Sequence, residues 1–62
     1  MVLNPADAAD LRRLPGVGAK RAEAILALRQ RLGRFRRPSD LLRVKGIGPR
    51  TLERMLPHLV LD

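Results

Sequence analysis

An internal repeat of thirty residues constrains the fold of this chain more than any other feature of its sequence. Pairing residues 10–26 with residues 40–56 gives seven identities in seventeen pairs, far more than chance allows. The identical pairs are Asp10 with Asp40, Leu11 with Leu41, Arg13 with Arg43, Gly16 with Gly46, Gly18 with Gly48, Glu23 with Glu53 and Leu26 with Leu56. A pair of short helices cannot bury both apolar faces alone, so the repeat predicts a duplicated unit whose second copy covers the first.

The centre of each copy has a hydrophobic residue between two glycines, with a cation two positions after the second glycine. These segments are residues 14–20 and 44–50. Glycine suits positive φ or a close approach of the backbone, and the start of a helix leaves N–H groups without partners. Each copy therefore predicts a tight turn that opens a helix. Unpaired amides, a helix dipole and the side chain of Lys20 or Arg50 together favour an anion such as phosphate.

The remaining pattern predicts an all-α chain of four to five short helices related by an approximate two-fold axis, with both glycine hairpins on the same side. The first helix spans Ala8–Arg13 with Asp7 as its N-cap, and the second spans Ala19–Leu32 with Gly33 as its C-cap. The third begins at Pro38, and the fourth begins at Pro49 and ends or kinks at Pro57. We expect one domain over residues 1–62, with a first hairpin unit at 7–33 and a second at 37–61.

The apolar residues predict a single core shared by the two units. The lone aromatic, Phe35, is expected to fill the core beneath the connector, and Val2, Leu3 and the tail from Leu59 to Leu61 to pack on the body. The helical residues expected to point inward are Leu11, Leu14, Ala22, Ile25, Leu26, Leu28, Leu32, Leu41, Leu42, Val44, Leu52, Met55, Leu56 and Leu59.

Charge identifies the class of partner. Thirteen Lys and Arg against six Asp and Glu give a net charge of +7, which on so small a surface favours a polyanion, with a membrane surface or an acidic protein patch as alternatives. The chain has no cysteine, so disulfides and thiolate metal sites are excluded, and no apolar run is long enough to span a bilayer. We expect a soluble domain, to which an anchor or export signal could be joined in a longer protein.

The candidate phosphate-binding residues are those of the two hairpins, with Val17 and Ile47 expected to point into the core and contribute only their amides. Pro49 has no N–H, so Lys45 and Arg50 are expected to matter more at the second hairpin. The full set is Gly16, Val17, Gly18, Ala19, Lys20, Lys45, Gly46, Ile47, Gly48 and Arg50, with Arg21, Arg36 and Arg37 as supporting cations.

The Leu-Pro-Gly-Val-Gly and Val-Lys-Gly-Ile-Gly turns, joined by Gly33-x-Phe35, resemble the tandem helix-hairpin-helix domain, and most of all the DNA-binding domains of the ComEA family of competence proteins. The resemblance runs from Leu3 to Leu61 and implies an all-α, SAM-domain-like fold. It also implies binding of double-stranded DNA without sequence preference, by hairpin amides that contact both strands across the minor groove. The process implied is DNA uptake during transformation, outside the cytoplasmic membrane. Pro5 and Arg37 depart from the family's pattern and put only local capping in doubt.

Three alternatives stay open at this point. The first hairpin also resembles that of DNA glycosylases, whose catalytic lysine falls at Lys20, but 62 residues cannot enclose a flipped base and Asp40 is already explained as a helix-start residue. A cytoplasmic repair or recombination accessory domain is a second alternative, and a protein-interaction module is a third. We expect a monomer that is not an enzyme and has no small-molecule substrate or cofactor, although a monovalent cation held by turn carbonyls is open at either hairpin.

Overall fold

The computed structural model describes residues 1–61, which form a helical bundle. Helix α1 spans Ala8–Leu11, α2 spans Ala19–Leu32 and α3 spans Pro49–Met55. A 3-10 helix, Pro38–Arg43, precedes the second hairpin, and a 3-10 turn, Leu56–His58, follows α3. The predicted all-α class is confirmed: within residues 1–61 the β structure is limited to one isolated bridge between Val2 and Val60. In the same part of the chain, none of the helices has the length and apolarity needed to cross a bilayer.

The first two helices follow from local capping. The Asp7 carboxylate accepts the N–H of Asp10 at 2.9 Å, and the Asp10 carboxylate accepts the N–H of Asp7 at 3.3 Å, which is a reciprocal cap. Helix α1 was expected to reach Arg13 but ends at Leu11, because the amides of Arg13 and Leu14 donate to the carbonyls of Asp10 and Leu11, only three residues back. Helix α2 has the predicted bounds, and Gly33 ends it with a φ of 86°.

The third helix begins at Pro38 as expected, but it is a 3-10 helix. The Asp40 carboxylate accepts the backbone N–H of Arg36 at 3.0 Å and that of Arg37 at 3.3 Å, so it fixes the start of the element. Asp40 is therefore a capping residue, which agrees with its explanation as a helix-start residue.

The core repeats with the sequence. Five buried residues of the first unit have buried partners thirty positions later, and Leu3, Ala6 and a fully buried Phe35 complete the set. The five pairs are Leu11 with Leu41, Leu14 with Val44, Val17 with Ile47, Ala22 with Leu52, and Ile25 with Met55. The two units thus bury equivalent faces against each other, as the duplication predicted.

Two leucines depart from the expected core. Leu42 and Leu56 are 41% and 42% exposed, so their predicted inward orientation is wrong. A 3-10 helix has three residues per turn, which puts Leu41 and Val44 on the inner face and turns Leu42 outward. Val2 is also exposed and contributes a backbone bridge, whereas Leu59 and Leu61 pack partly buried on the core.

Two polar side chains hold the terminal segments and the connector together. The Asn4 amide donates to the carbonyls of Phe35 and Leu61, each at 3.0 Å, and its oxygen accepts the Phe35 N–H at 2.7 Å. The Arg29 guanidinium donates to the carbonyls of Ala6 at 2.7 Å and Leu3 at 3.2 Å. Arg29 therefore fixes the N-terminal segment to the C-terminal half of α2.

Candidate nucleic-acid interface

The two hairpins have the same backbone geometry. The N–H of Val17 donates to the carbonyl of Leu14 at 3.1 Å, and the N–H of Ile47 donates to that of Val44 at 3.0 Å. The first glycine of each hairpin, Gly16 or Gly46, has a positive φ, of 77° and 96° respectively. The turn itself therefore requires the first glycine.

The second glycine of each hairpin has no such requirement. Gly18 and Gly48 are the N-caps of α2 and α3, with φ of −97° and −105° in the extended region that any residue adopts. A Cβ on either would have no atom within 4 Å. N-caps favour Ser, Thr, Asp or Asn at least as well as glycine. Neither the backbone conformation nor packing within residues 1–61 therefore requires glycine at these two positions.

Unpaired backbone amides lie at and directly after Gly18, where a Cβ would have no neighbouring atom. The first hydrogen bond inside α2 runs from the N–H of Ala22 to the carbonyl of Gly18 at 2.9 Å. The N–H groups of Gly18, Ala19, Lys20 and Arg21 come before it, and residues 1–61 provide no hydrogen-bond acceptor for these four groups.

The second hairpin repeats this arrangement with one donor fewer. The N–H of Leu52 donates to the carbonyl of Gly48 at 2.9 Å, and the preceding amides of Gly48, Arg50 and Thr51 have no acceptor in the described part of the chain. Pro49 has no N–H to offer, as the sequence indicated.

The structure changes the expectation for Val17 and Ile47. Both side chains are buried, as predicted. Their amides, which were expected to contact phosphate, already donate within the turn. The donors that face outward therefore lie from the second glycine onward.

The hairpins lie next to each other on one side of the molecule. A Cβ on Gly16 would lie 3.2 Å from the Cγ2 of Thr51, and a Cβ on Gly46 would lie 2.7 Å from the Nε of Arg21. Each first glycine thus contacts the helix that follows the other hairpin. Arg21 also donates from Nη1 to the carbonyl of Gly16 at 2.8 Å, so it bridges both hairpins, and a monovalent cation at that turn would compete for this oxygen.

The predicted cations separate into two groups. Lys20, Lys45 and Arg50 are exposed in or directly beside the hairpins, and Arg21 lies between them. Arg36 and Arg37 belong instead to the connector after α2, a helix whose 14 residues are about 20 Å long. The length of α2 therefore separates these two arginines from the first hairpin, and both line a concavity with Asp40 and Arg43.

The connector cluster surrounds Asp40 in a shallow concavity also lined by Leu32, Arg34, Arg36, Arg37 and Arg43. The pKa of Asp40 is lowered most by its hydrogen bond from the backbone N–H of Arg36. The N–H and charge of Arg37 and the charge of Arg43 lower this pKa further, whereas desolvation raises it.

Lys20 lines a separate concavity at the other end of α2. The two residues considered for catalysis are thus apart, and residues 1–61 contain no cluster of His, Cys, Asp and Glu suited to a metal ion.

Sequence reasoning did not single out Thr51. Thr51 lies thirty residues after Arg21, so the repeat predicts that the two residues occupy equivalent positions in the two units.

Comparison with known proteins identifies the family of this chain. An uncharacterised protein of Haemophilus influenzae is 45% identical over 59 residues, which are 94% of this chain and 53% of that protein. ComE operon protein 1 of Bacillus subtilis is 40% identical over 53 residues, which are 86% of this chain and 26% of that protein. The chain thus spans about half and about a quarter of the length of these relatives. Residues 1–60 match the family described as the helix-hairpin-helix motif, and the chain belongs to this family, as a domain related to ComEA.

Proposed function

We propose that this domain binds double-stranded DNA by contacting phosphates of both strands and does not read the base sequence. The observation that carries the proposal is the pair of open positions at Gly18 and Gly48. Each adjoins unpaired amides, and neither glycine is required by the backbone. The net charge of +7 supplies the long-range attraction to a polyanion.

At the first hairpin, a phosphate oxygen would accept hydrogen bonds from the amides of Gly18, Ala19 and Lys20. Helix α2 has 14 residues, so its dipole adds to these bonds, and the Lys20 ammonium lies on the same turn. A side chain larger than hydrogen at Gly18 would occupy the space that the phosphate needs.

The second hairpin presents weaker backbone chemistry. Helix α3 has seven residues and begins with Pro49, so the turn amides have less support from the helix. The side chains of Lys45 and Arg50 therefore contribute a larger share of the binding at this hairpin.

The arrangement favours a duplex over a single strand. Two equivalent hairpins placed side by side would provide one phosphate contact for each strand of a double helix. Proteins that bind single strands commonly stack bases on aromatic side chains. The only aromatic residue, Phe35, is fully buried in the core and is unable to do so.

The resemblance to the ComEA family, together with the similarity to ComE operon protein 1, favours a role in DNA uptake during natural transformation, outside the cytoplasmic membrane. An accessory domain of a repair or recombination protein is the second candidate, since the hairpins suit any duplex-binding protein. In either setting we propose a monomeric binding module without catalytic activity. If an apolar protein interface were the true function, affinity for the partner would hardly respond to salt, whereas phosphate binding weakens steeply.

The test is the double variant Gly18→Thr, Gly48→Thr. Threonine is about as good an N-cap as glycine and adopts extended backbone readily, so thermal stability should not fall. Binding to a 20-base-pair duplex, measured by fluorescence anisotropy, should weaken about tenfold or more, because each hydrogen bond to a charged group is worth about 1.5–3 kcal/mol.

Ala27→Thr is the matched control, since it adds the same side chain to an exposed position of α2 away from the hairpins. It should leave duplex affinity unchanged. A folded double variant with the affinity of the parent protein would show that the hairpin amides do not hold phosphate.

A further inference from the structure

Arg21 occupies a position that the phosphate-binding scheme does not use. Its Nη1 donates to the carbonyl of Gly16 at 2.8 Å, in the first hairpin. The same guanidinium lies against the α-carbon of Gly46, in the second hairpin, where a Cβ would be 2.7 Å from Nε, 3.2 Å from Nη2 and 3.3 Å from Cζ. One exposed cation thus contacts the first glycine of both hairpins.

The pseudo-symmetry shows that this position is the centre of the candidate interface. Arg21 and Thr51 are the third residues of α2 and α3, and each lies against the first glycine of the opposite hairpin. The two side chains therefore flank the approximate two-fold axis. One is a cation and the other is a small neutral residue, so the centre carries a single positive charge.

This inference rests on the proposed function. One guanidinium reaches from Gly16 to Gly46, so the two hairpins are closely spaced. If each hairpin holds one strand, this spacing suits the minor groove, about 6 Å wide in B-DNA, better than the major groove, about 12 Å wide. Narrow minor grooves, as in A-tracts, have an enhanced negative potential that attracts an arginine at the groove. Of the five N–H groups of a guanidinium, residues 1–61 provide an acceptor for one in Arg21, so the others can face the groove.

We propose that Arg21 is a specificity-determining residue that faces the minor groove between the two hairpins and makes the domain prefer duplexes with a narrow groove. The preference acts through groove shape and potential, so it needs no hydrogen bond to a base edge. Lys20, Lys45 and Arg50, which contact phosphates in the proposed scheme, would not contribute to it.

The experiment compares two duplexes of equal length, charge and base composition. One carries a central A-tract, and the other interrupts the same bases with TA steps, which widen and loosen the groove. The unmodified protein should bind the A-tract duplex about three- to tenfold more tightly, a difference of about 0.7–1.4 kcal/mol. Arg21→Thr, which copies the residue of the second unit, should abolish the preference.

Three further variants keep the result decisive. Arg31→Thr makes the same substitution at the opposite end of α2 and should weaken both duplexes slightly and equally. Arg21→Gln retains the stem and a donor for Gly16, so it serves if Arg21→Thr does not fold, and it should also lose the preference. Arg21→Lys keeps the charge and should retain part of it.

The outcomes separate this inference from the proposed function. Equal affinity of the unmodified protein for the two duplexes, or a preference that survives in Arg21→Gln, would overturn the role of Arg21 and leave phosphate binding intact. Failure of the unmodified protein to bind either duplex would overturn the proposed function itself.

Discussion

The two glycines of each hairpin are predicted to respond in opposite ways to the same substitution. Gly16→Thr and Gly46→Thr place a β-branched residue at φ of 77° and 96°, which costs about 1–3 kcal/mol each, toward the upper end of that range for a β-branched side chain. At Gly16 the new Cβ would also lie 3.2 Å from the Thr51 methyl group, whereas at Gly46 it would meet the mobile end of Arg21. The penalty should therefore be larger at Gly16.

Gly18→Thr and Gly48→Thr should have no penalty. Their backbone is extended and their Cβ positions are open, so replacing glycine gains about 0.4–1 kcal/mol by reducing the entropy of the unfolded chain. For a domain of this size, 1 kcal/mol corresponds to about 4–8 °C in Tm. A loss of about 2–3 kcal/mol at the first glycines thus lowers Tm by about 8–24 °C, against a rise of about 2–8 °C at the second glycines.

Thermal unfolding followed by circular dichroism at 222 nm measures these differences directly, and urea titration checks them at constant temperature. The reasoning would be refuted if Gly18→Thr destabilised the protein as much as Gly16→Thr. In that case the second glycines would serve the fold, and their presence would no longer indicate an external ligand.

Four more outcomes are expected. Asn4→Ala should destabilise the domain by about 1–3 kcal/mol in urea unfolding, because it leaves the partly buried backbone groups of Phe35 and Leu61 without their partners; a loss below a few tenths would contradict this. Phe35→Ala should cost about 3–5 kcal/mol and largely unfold so small a domain, so a cooperative melt close to that of the parent would show that Phe35 does not fill the core. The folded state lowers the pKa of Asp40, so the stability that its carboxylate contributes is present above its ordinary pKa of about 3.9 and is lost as the pH falls through the lower folded value. Asp40→Asn should therefore be less stable than the parent near neutral pH and equally stable in strong acid. A stability difference that does not change with pH would refute this prediction. Duplex affinity should fall with log salt at a slope of about −4 to −5, and Lys20→Ala should reduce that slope by about one, whereas an unchanged slope would exclude a phosphate contact at Lys20.

The parts of the fold that the sequence predicted are those fixed by local chemistry or by the repeat. Asp7 caps α1, Gly33 ends α2 and Pro49 begins α3, because each uses a backbone preference that depends on a few neighbouring residues. The burial of Leu14 with Val44 follows from duplication, since equivalent residues meet equivalent surroundings.

The parts that were not predicted depend on details of geometry that spacing does not specify. Leu42 is exposed because its helix has three residues per turn, a distinction that an apolar pattern of six residues does not resolve. The amide of Val17 is paired because the turn closes on Leu14, which leaves the outward donors one position further along. The bridge from Arg21 to Gly46 joins residues 25 positions apart and arises only when the two units pack.

The central claim is that backbone amides of the two hairpins hold the phosphates of both strands. Titration of the 15N-labelled domain with a short duplex, followed by backbone amide shifts in the NMR spectrum, tests it most directly. The largest changes are predicted at Gly18, Ala19 and Lys20 and at Gly48, Arg50 and Thr51, with the smallest in the connector at residues 34–37. Largest changes in the connector, with the hairpin amides unmoved at saturation, would contradict the account.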